Sequence, residues 1–227
     1  SGRVFLPLLP LEDVMVRAVV FDLDDTLVDS WSRFDGGMLP VLDAEGIAYD
    51  RDEMIVKMHP QGVSPTAALF CEMGVPGTAE EVTRRLEEGM YQEYAHNIRL
   101  MPGAREYLCR LREQGIRLFV LTASPHITLD ACLKRLGLWT LFDNVWSCDD
   151  FNTTKADPQI YVRAAEKMNT TVENVLFLDD NLNACKTAKE AGMKVCGVYD
   201  DSSKEYTEQM KELCDYYIED FNELLDM

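Results

Sequence analysis

The sequence has little positive charge and no long apolar run, and these two deficits exclude whole classes of protein. It contains 22 lysines and arginines against 40 aspartates and glutamates, which gives a formal net charge of −18 over 227 residues. A surface this acidic repels nucleic-acid backbones and anionic lipids, so we expect no nucleic-acid and no membrane partner. The longest apolar runs, such as residues 5–11 and 18–21, are too short to span a membrane.

Cysteine pairs with metal-binding spacing are also missing. The chain has seven cysteines, and no two of them stand at CxxC spacing. An odd count without such pairs is typical of a reducing compartment and predicts a cytoplasmic protein. The stretch FLPLLPLED at residues 5–13 lacks the apolar length and the cleavage pattern of a signal peptide. Because Met15 stands just before the first predicted strand, we predict that residues 1–14 are an extension ahead of the first domain.

Short β-branched and aromatic runs alternate with helical patterns along most of the chain. Strands are predicted at residues 17–23 (RAVVFDL), 117–122, 174–178 and 194–198, with a further short strand at 145–148. The helical patterns between them end at Gly115, Gly137 and Gly192. This alternation predicts an α/β fold, a Rossmann-like and mostly parallel sheet covered by helices on both faces.

The alternation breaks over residues 30–99, where only helical patterns occur. One apolar stripe begins at Trp31 and continues to Leu42, and a second comprises Val82, Leu86, Met90 and Tyr94. We predict an inserted all-helical domain at 30–99 and a core domain made of residues 15–29 and 100–227.

The motif Asp22-Leu23-Asp24-Asp25-Thr26 closes the first predicted strand. Residues i and i+2 of an extended chain point to the same side, so Asp22 and Asp24 are expected side by side. Adjacent carboxylates repel each other and need a metal ion, a shared proton or full solvation. The alternative interpretation is an acidic turn or a helix N-cap, which an apolar strand leading straight into the motif disfavours.

Three more polar sites stand at strand ends or just before a helix. Thr122 ends a strand and precedes Ala123, where a hydroxyl and backbone N–H groups at a helix start could hold an anion. Lys155 precedes a helix, and Asp179 with Asp180 ends the strand NVLFL. Alone, Thr122 would be an N-cap and Lys155 a solvated lysine, but the second carboxylate pair is typical of a hard metal such as Mg²⁺.

Taken together, these segments resemble the four motifs of the haloacid dehalogenase superfamily, in the family's chain order. They are FDLDDT at residues 21–26, LTAS at 121–124, KADPQIY at 155–161 and LDDN at 178–181. The resemblance covers roughly residues 16–200, and it implies that the helical insert is the cap domain of the subfamily that includes phosphoglycolate phosphatase and β-phosphoglucomutase. Ala156 departs from the proline that many members have there.

The resemblance implies a phosphatase that works through an aspartyl-phosphate. In the family, the residue at the position of Asp22 attacks phosphorus, and the residue at Asp24 first protonates the leaving oxygen and then activates water. Mg²⁺ would be held by Asp22, by the main-chain carbonyl of Asp24 and by Asp180, with Asp179 in an indirect role.

The phosphoryl oxygens would be met by Thr122, Lys155 and backbone N–H groups near Ala123. The acid Asp24 argues against the dehalogenase activity itself, whose enzymes lack an acid there. His59 and Gln61 lie in a loop where relatives place substrate-contacting residues, although an exposed loop histidine is an equally good interpretation of His59.

Three functions stay open at this level. The first is a monomeric phosphatase acting on a small phosphorylated metabolite, and the second is a phosphomutase of the β-phosphoglucomutase kind. The third is a non-catalytic binding protein on the same fold, which the presence of nucleophile, acid, lysine and metal acid together disfavours.

Overall fold

The structure, a computed structural model, describes residues 16–58 and 62–225. These residues form two compact units, one of residues 16–29 and 99–225 and the other of residues 30–58 and 62–98. The predicted extension at 1–14 lies outside the described residues.

The described residues contain eight β-strands: β1 Ala18–Phe21, β2 Val28–Asp29, β3 Arg99–Leu100, β4 Arg117–Thr122, β5 Asn144–Ser147, β6 Val175–Asp179, β7 Lys194–Val198 and β8 Tyr216–Ile218.

They also contain ten α-helices: α1 Phe34–Met38, α2 Pro40–Ala44, α3 Arg51–Met58, α4 Val63–Glu72, α5 Ala79–His96, α6 Ala104–Glu113, α7 His126–Arg135, α8 Gln159–Lys167, α9 Leu182–Ala191 and α10 Thr207–Leu213. Short 3₁₀ helices occur at Trp31–Arg33, Trp139–Leu141, Cys148–Phe151, Val172–Asn174, Asp201–Tyr206 and Phe221–Leu224. Every helix in the described ranges falls short of the length and apolarity that crossing a membrane takes.

Six strands of the first unit form one parallel sheet in the order β5-β4-β1-β6-β7-β8. The prediction of an α/β fold with a Rossmann-like sheet is confirmed. From β1 the chain continues to β4 on one side, and it later returns to β6 on the other. The strand order thus reverses beside β1, and open α/β sheets bind ligands at the carboxyl ends of the strands flanking such a point.

The central strand β1 is buried on both faces, as a parallel strand covered by helices must be. Side chains alternate between faces along a strand. Val20 accordingly belongs to a core cluster that also contains Phe119 and Trp146. On the other face, the ring of Phe21 lies 6.3 Å from the rings of both Tyr107 and Phe221. This packing holds the end of β1, and the motif that follows it, in a fixed place.

The second unit is entirely helical over its described residues, as its apolar stripes predict. The predicted stripe Val82, Leu86, Met90 and Tyr94 lies buried along α5. The first stripe is divided among a 3₁₀ turn, α1 and α2, and Pro40 begins α2 at the position that tolerates its missing N–H.

Candidate active site

The carboxyl edge of the sheet brings together polar residues that are far apart in sequence. Asp22 directly follows β1, Thr122 is the last residue of β4 and Asp179 is the last residue of β6. Since β1 pairs with both β4 and β6 in parallel, these three side chains meet at one edge. The backbone N–H of Asp22 also donates to the carbonyl of Leu178 at 2.9 Å, which continues the ladder into the motif.

Lys155 forms the centre of this cluster. Its Nζ donates to Asp22 Oδ1 at 2.6 Å and to Asp179 Oδ2 at 2.8 Å. The loop that carries it is anchored by Tyr161, whose hydroxyl lies 3.0 Å from the carbonyl of Lys155 and 3.2 Å from that of Ala184. The alternative interpretation of Lys155 as a solvated lysine is therefore wrong.

The charges of the cluster do not balance. Burial by itself lowers the pKa of Lys155, but Asp179 and Asp22 outweigh it and hold that pKa well above its ordinary value, so the ammonium stays protonated. Burial raises the pKa of Asp22 well above its ordinary value, and Asp179 adds to this effect while Lys155 opposes it. Burial, Asp179 and Asp22 raise the pKa of Asp180 in the same way. Lys155 thus compensates Asp22 and Asp179 directly but forms no ion pair with Asp180, and a further cation would relieve the repulsion among the three buried carboxylates.

The donor set of this cluster fits Mg²⁺. Asp22, Asp179 and Asp180 each offer a carboxylate oxygen, and these oxygens lie within 4.8 Å of one another. Oxygen-only, carboxylate-rich donors are those that hard cations prefer. Asp25, Asp180 and Asp200 bring three carboxylate oxygens together over the same span.

Asp180 is held in place by Thr26, a residue that sequence inspection did not single out. The hydroxyl of Thr26 donates to Asp180 Oδ1 at 3.2 Å and accepts from the Asp180 N–H at 3.1 Å. Thr26 is fully buried, so both bonds are shielded from water. Its position inside the DLDDT motif was the only available signal, because a threonine in a turn ordinarily serves the turn itself.

The carboxylate of Asp24 faces the segment that follows β4. Its Oδ2 accepts from the hydroxyl of Ser124 at 2.6 Å and from that of Thr122 at 3.3 Å. Thr122, expected to meet a phosphoryl group, thus donates to Asp24 in this structure, while Ala123 between the two hydroxyl residues is exposed. In the sequence, Ser124 stands out only as part of the LTAS motif, and no pattern indicates its bond to Asp24.

The predicted specificity residues His59 and Gln61 lie outside the described residues, which resume at Gly62.

Comparison with known proteins agrees with the motifs and the fold. A family model described as haloacid dehalogenase-like hydrolase matches residues 16–192. The chain is 26% identical over 179 residues to a phosphorylated carbohydrates phosphatase from Thermotoga maritima, an alignment that covers 79% of this chain and 83% of that protein. It is 25% identical over 181 residues to hexitol phosphatase B from Escherichia coli, with 79% and 82% covered.

Among solved structures, CbbY from Rhodobacter sphaeroides in complex with phosphate superimposes with a TM-score of 0.73 at 24% identity. The superposition covers 92% of this chain and 96% of that one, which shows a shared fold. The predicted enzyme class, a phosphatase of this family, is confirmed. The chain therefore belongs to the haloacid dehalogenase-like hydrolase family.

Proposed function

We propose that this enzyme is a Mg²⁺-dependent phosphatase that hydrolyses a small phosphorylated metabolite, with Asp22 as the nucleophile. The observation that carries the proposal is the placement of Asp22. It is a buried carboxylate at the end of the central strand, fixed by Lys155 at 2.6 Å and crowded by two further carboxylates. A rigid, partly compensated anion of this kind suits attack on phosphorus.

In the first half of the reaction, a carboxylate oxygen of Asp22 forms a bond to phosphorus as the bond to the leaving oxygen breaks. Asp24 transfers its proton to that leaving oxygen, so the product departs as a neutral alcohol. Lys155 faces the attacking carboxylate and offsets negative charge that gathers on the phosphoryl oxygens. We still predict that Thr122 and the backbone N–H of Ala123 bind those phosphoryl oxygens.

In the second half, water attacks the aspartyl-phosphate, and Asp24 accepts the proton that this water loses. The bond between Asp22 and phosphorus breaks, inorganic phosphate leaves and both carboxylates return to their starting state. When bound by Asp22, Asp180, the main-chain carbonyl of Asp24 and, indirectly, Asp179, Mg²⁺ would supply positive charge to the phosphoryl group.

Phosphorylated sugars and sugar alcohols are the first substrates to test, because the names of the two curated relatives point to such compounds. A phosphomutase would return the phosphoryl group to an isomeric position rather than to water. Accumulation of an isomeric sugar phosphate instead of free phosphate would favour that second function. His59 and Gln61 stay predicted specificity residues, and the cytoplasmic location and the monomeric state likewise stay predictions.

The test is phosphate release from 4-nitrophenyl phosphate and from a panel of phosphorylated metabolites, with Mg²⁺ and with EDTA. Asp22→Asn should abolish release and leave the far-UV circular dichroism unchanged, because it removes the nucleophile from an intact fold. Asp149→Asn, at an exposed aspartate, is the matched control and should behave as wild type. Release that survives in Asp22→Asn would show that the nucleophile is misassigned, and silence across the whole panel would refute the phosphatase.

A further inference from the structure

Two hydroxyl groups donate hydrogen bonds to a single carboxylate oxygen of Asp24, the proposed acid–base residue. Ser124 Oγ donates to Asp24 Oδ2 at 2.6 Å, and Thr122 Oγ1 donates to the same oxygen at 3.3 Å. Asp24 follows β1, whereas both hydroxyl residues end or follow β4, so the bonds join two neighbouring strand ends. A bond of 2.6 Å between a hydroxyl and a carboxylate is in the range of strong, charge-assisted hydrogen bonds.

The serine is itself held in a fixed orientation. Its backbone N–H donates to Thr122 Oγ1 at 3.1 Å, which closes a ring of three hydrogen bonds among Ser124, Thr122 and Asp24. Thr122 is fully buried at the end of a strand paired with β1, so the ring rests on the rigid sheet. A side chain locked in this way can position its neighbour to the accuracy that proton transfer needs.

We propose that Ser124 is a positioning residue for the reaction: it orients the Asp24 carboxylate for proton exchange with the leaving oxygen and with water. The inference rests on the proposed function, since it presupposes that Asp24 transfers the proton. General acid–base catalysis contributes about 10²–10⁴-fold to a reaction, and it depends on hydrogen-bond reach to the reacting atom. Loss of the Ser124 hydroxyl should remove part of this rate enhancement, while Asp22 and Lys155 stay in place.

The test compares kcat/KM for a substrate whose leaving group needs a proton with kcat/KM for one whose leaving group does not. The first is the best alkyl phosphate of the metabolite panel, and the second is acetyl phosphate, which releases acetate. Ser124→Ala should lower kcat/KM roughly 10- to 100-fold for the alkyl phosphate and much less for acetyl phosphate. Ser124→Thr, which keeps the hydroxyl, should restore most of the loss.

Two further variants separate positioning from other roles. In an Asp24→Asn background, Ser124→Ala should cause no further loss, because a residue that acts through Asp24 has nothing left to orient. Thr207→Ala removes a hydroxyl that donates to the carbonyl of Lys204, and it should change neither rate.

An equal loss on both substrates, or an additive loss in the double variant, would overturn the inference and leave the proposed function standing. Wild-type enzyme that turns over acetyl phosphate but no alkyl phosphate would also overturn it, since no leaving group would then be protonated. Wild-type enzyme that releases phosphate from nothing in the panel would refute the proposed function, and this inference with it.

Discussion

Replacing Lys155 with methionine should unfold the enzyme more easily, because it leaves two buried carboxylates without their ammonium. The Lys155 side chain is 13% exposed, and its partners Asp22 and Asp179 are 9% and 1% exposed. Removing one partner of a buried ion pair costs about 3–5 kcal/mol, since the remaining charge stays away from water. We therefore expect Lys155→Met to lower the free energy of unfolding by about that amount in metal-free buffer at about pH 8.

The assay is urea denaturation followed by circular dichroism in EDTA, with thermal unfolding as a second measure. In a domain of this size, 1 kcal/mol shifts Tm by about 2–4 °C, so the expected shift is roughly 6–20 °C. The matched control is Lys57→Met, whose side chain is 55% exposed and lies 4.0 Å from Glu53. An exposed pair of this kind contributes about 0–1 kcal/mol, so the control should unfold almost as wild type does.

The pH dependence of stability provides a second test of the same prediction. Burial and Asp179 already raise the pKa of Asp22, and loss of the lysine raises it further. A group whose pKa is raised in the folded state stabilises the fold at low pH and loses that effect as the pH rises through the folded pKa. The difference in the free energy of unfolding between Lys155→Met and wild type should therefore become smaller from about pH 8 to about pH 5. A Lys155→Met variant as stable as the Lys57→Met control at about pH 8 would refute the reasoning.

Three other substitutions test separate parts of the structure. Thr26→Val removes both hydrogen bonds to Asp180, so it should cost about 1–3 kcal/mol of stability and weaken Mg²⁺ binding, measured by calorimetry, about 10- to 100-fold. His126→Gln should destabilise the enzyme at low pH and have little effect at high pH. Hydrogen bonds to Asp130 and Asp150 raise the pKa of His126. The stability that a raised histidine pKa contributes is lost as the pH rises through that folded-state pKa, so Tm measured across the pH range checks the prediction. Gly89→Ala would place a Cβ 1.9 Å from the carbonyl oxygen of Gly37, and this backbone clash should cost about 1–3 kcal/mol or more in urea denaturation.

Each of these variants has a control of the same chemistry. Thr187→Val removes a hydroxyl that bonds only within its own helix turn, as far as the described contacts go, and it should leave Mg²⁺ binding unchanged. His96→Gln, at an exposed histidine, is the control for His126→Gln. Glu88→Ala, at the neighbouring position of α5, is the control for Gly89→Ala, because glutamate already has a Cβ and the substitution adds none. If any control matched its test variant, the contact assigned to that variant would lose its support.

The strands of the sheet show how far sequence patterns extend. Residues 117–122 and 194–198 were predicted with the observed bounds, because each is a short, mostly apolar run that begins two residues after a glycine that ends a helical pattern. The edge strand β8, Tyr216–Ile218, was not predicted, since it has three residues between acidic ones and its identity depends on pairing with β7. The two-residue strands β2 and β3 were likewise missed, because they exist only as an antiparallel pair.

The acidic motif shows the same division within the site. The order of strand, Asp22 and Asp24 predicted a carboxylate pair at a strand end, and the fold places both there. No sequence pattern predicts which hydroxyl or ammonium group binds each carboxylate. Asp22 is bound by Lys155, 133 residues away, and Asp24 by Ser124, 100 residues away.

By itself, the sequence determined which residue types stand at the strand ends, the parallel sheet that unites those ends and the family whose motifs they form. Local patterns suffice for this, because strand burial and chain order dictate where a strand's last residues point. Only the tertiary structure decided the partners: Thr26 for Asp180, Ser124 for Asp24, and Lys155 shared between two carboxylates. Such contacts depend on strand register and loop packing to within a few tenths of an ångström, which residue types alone do not specify.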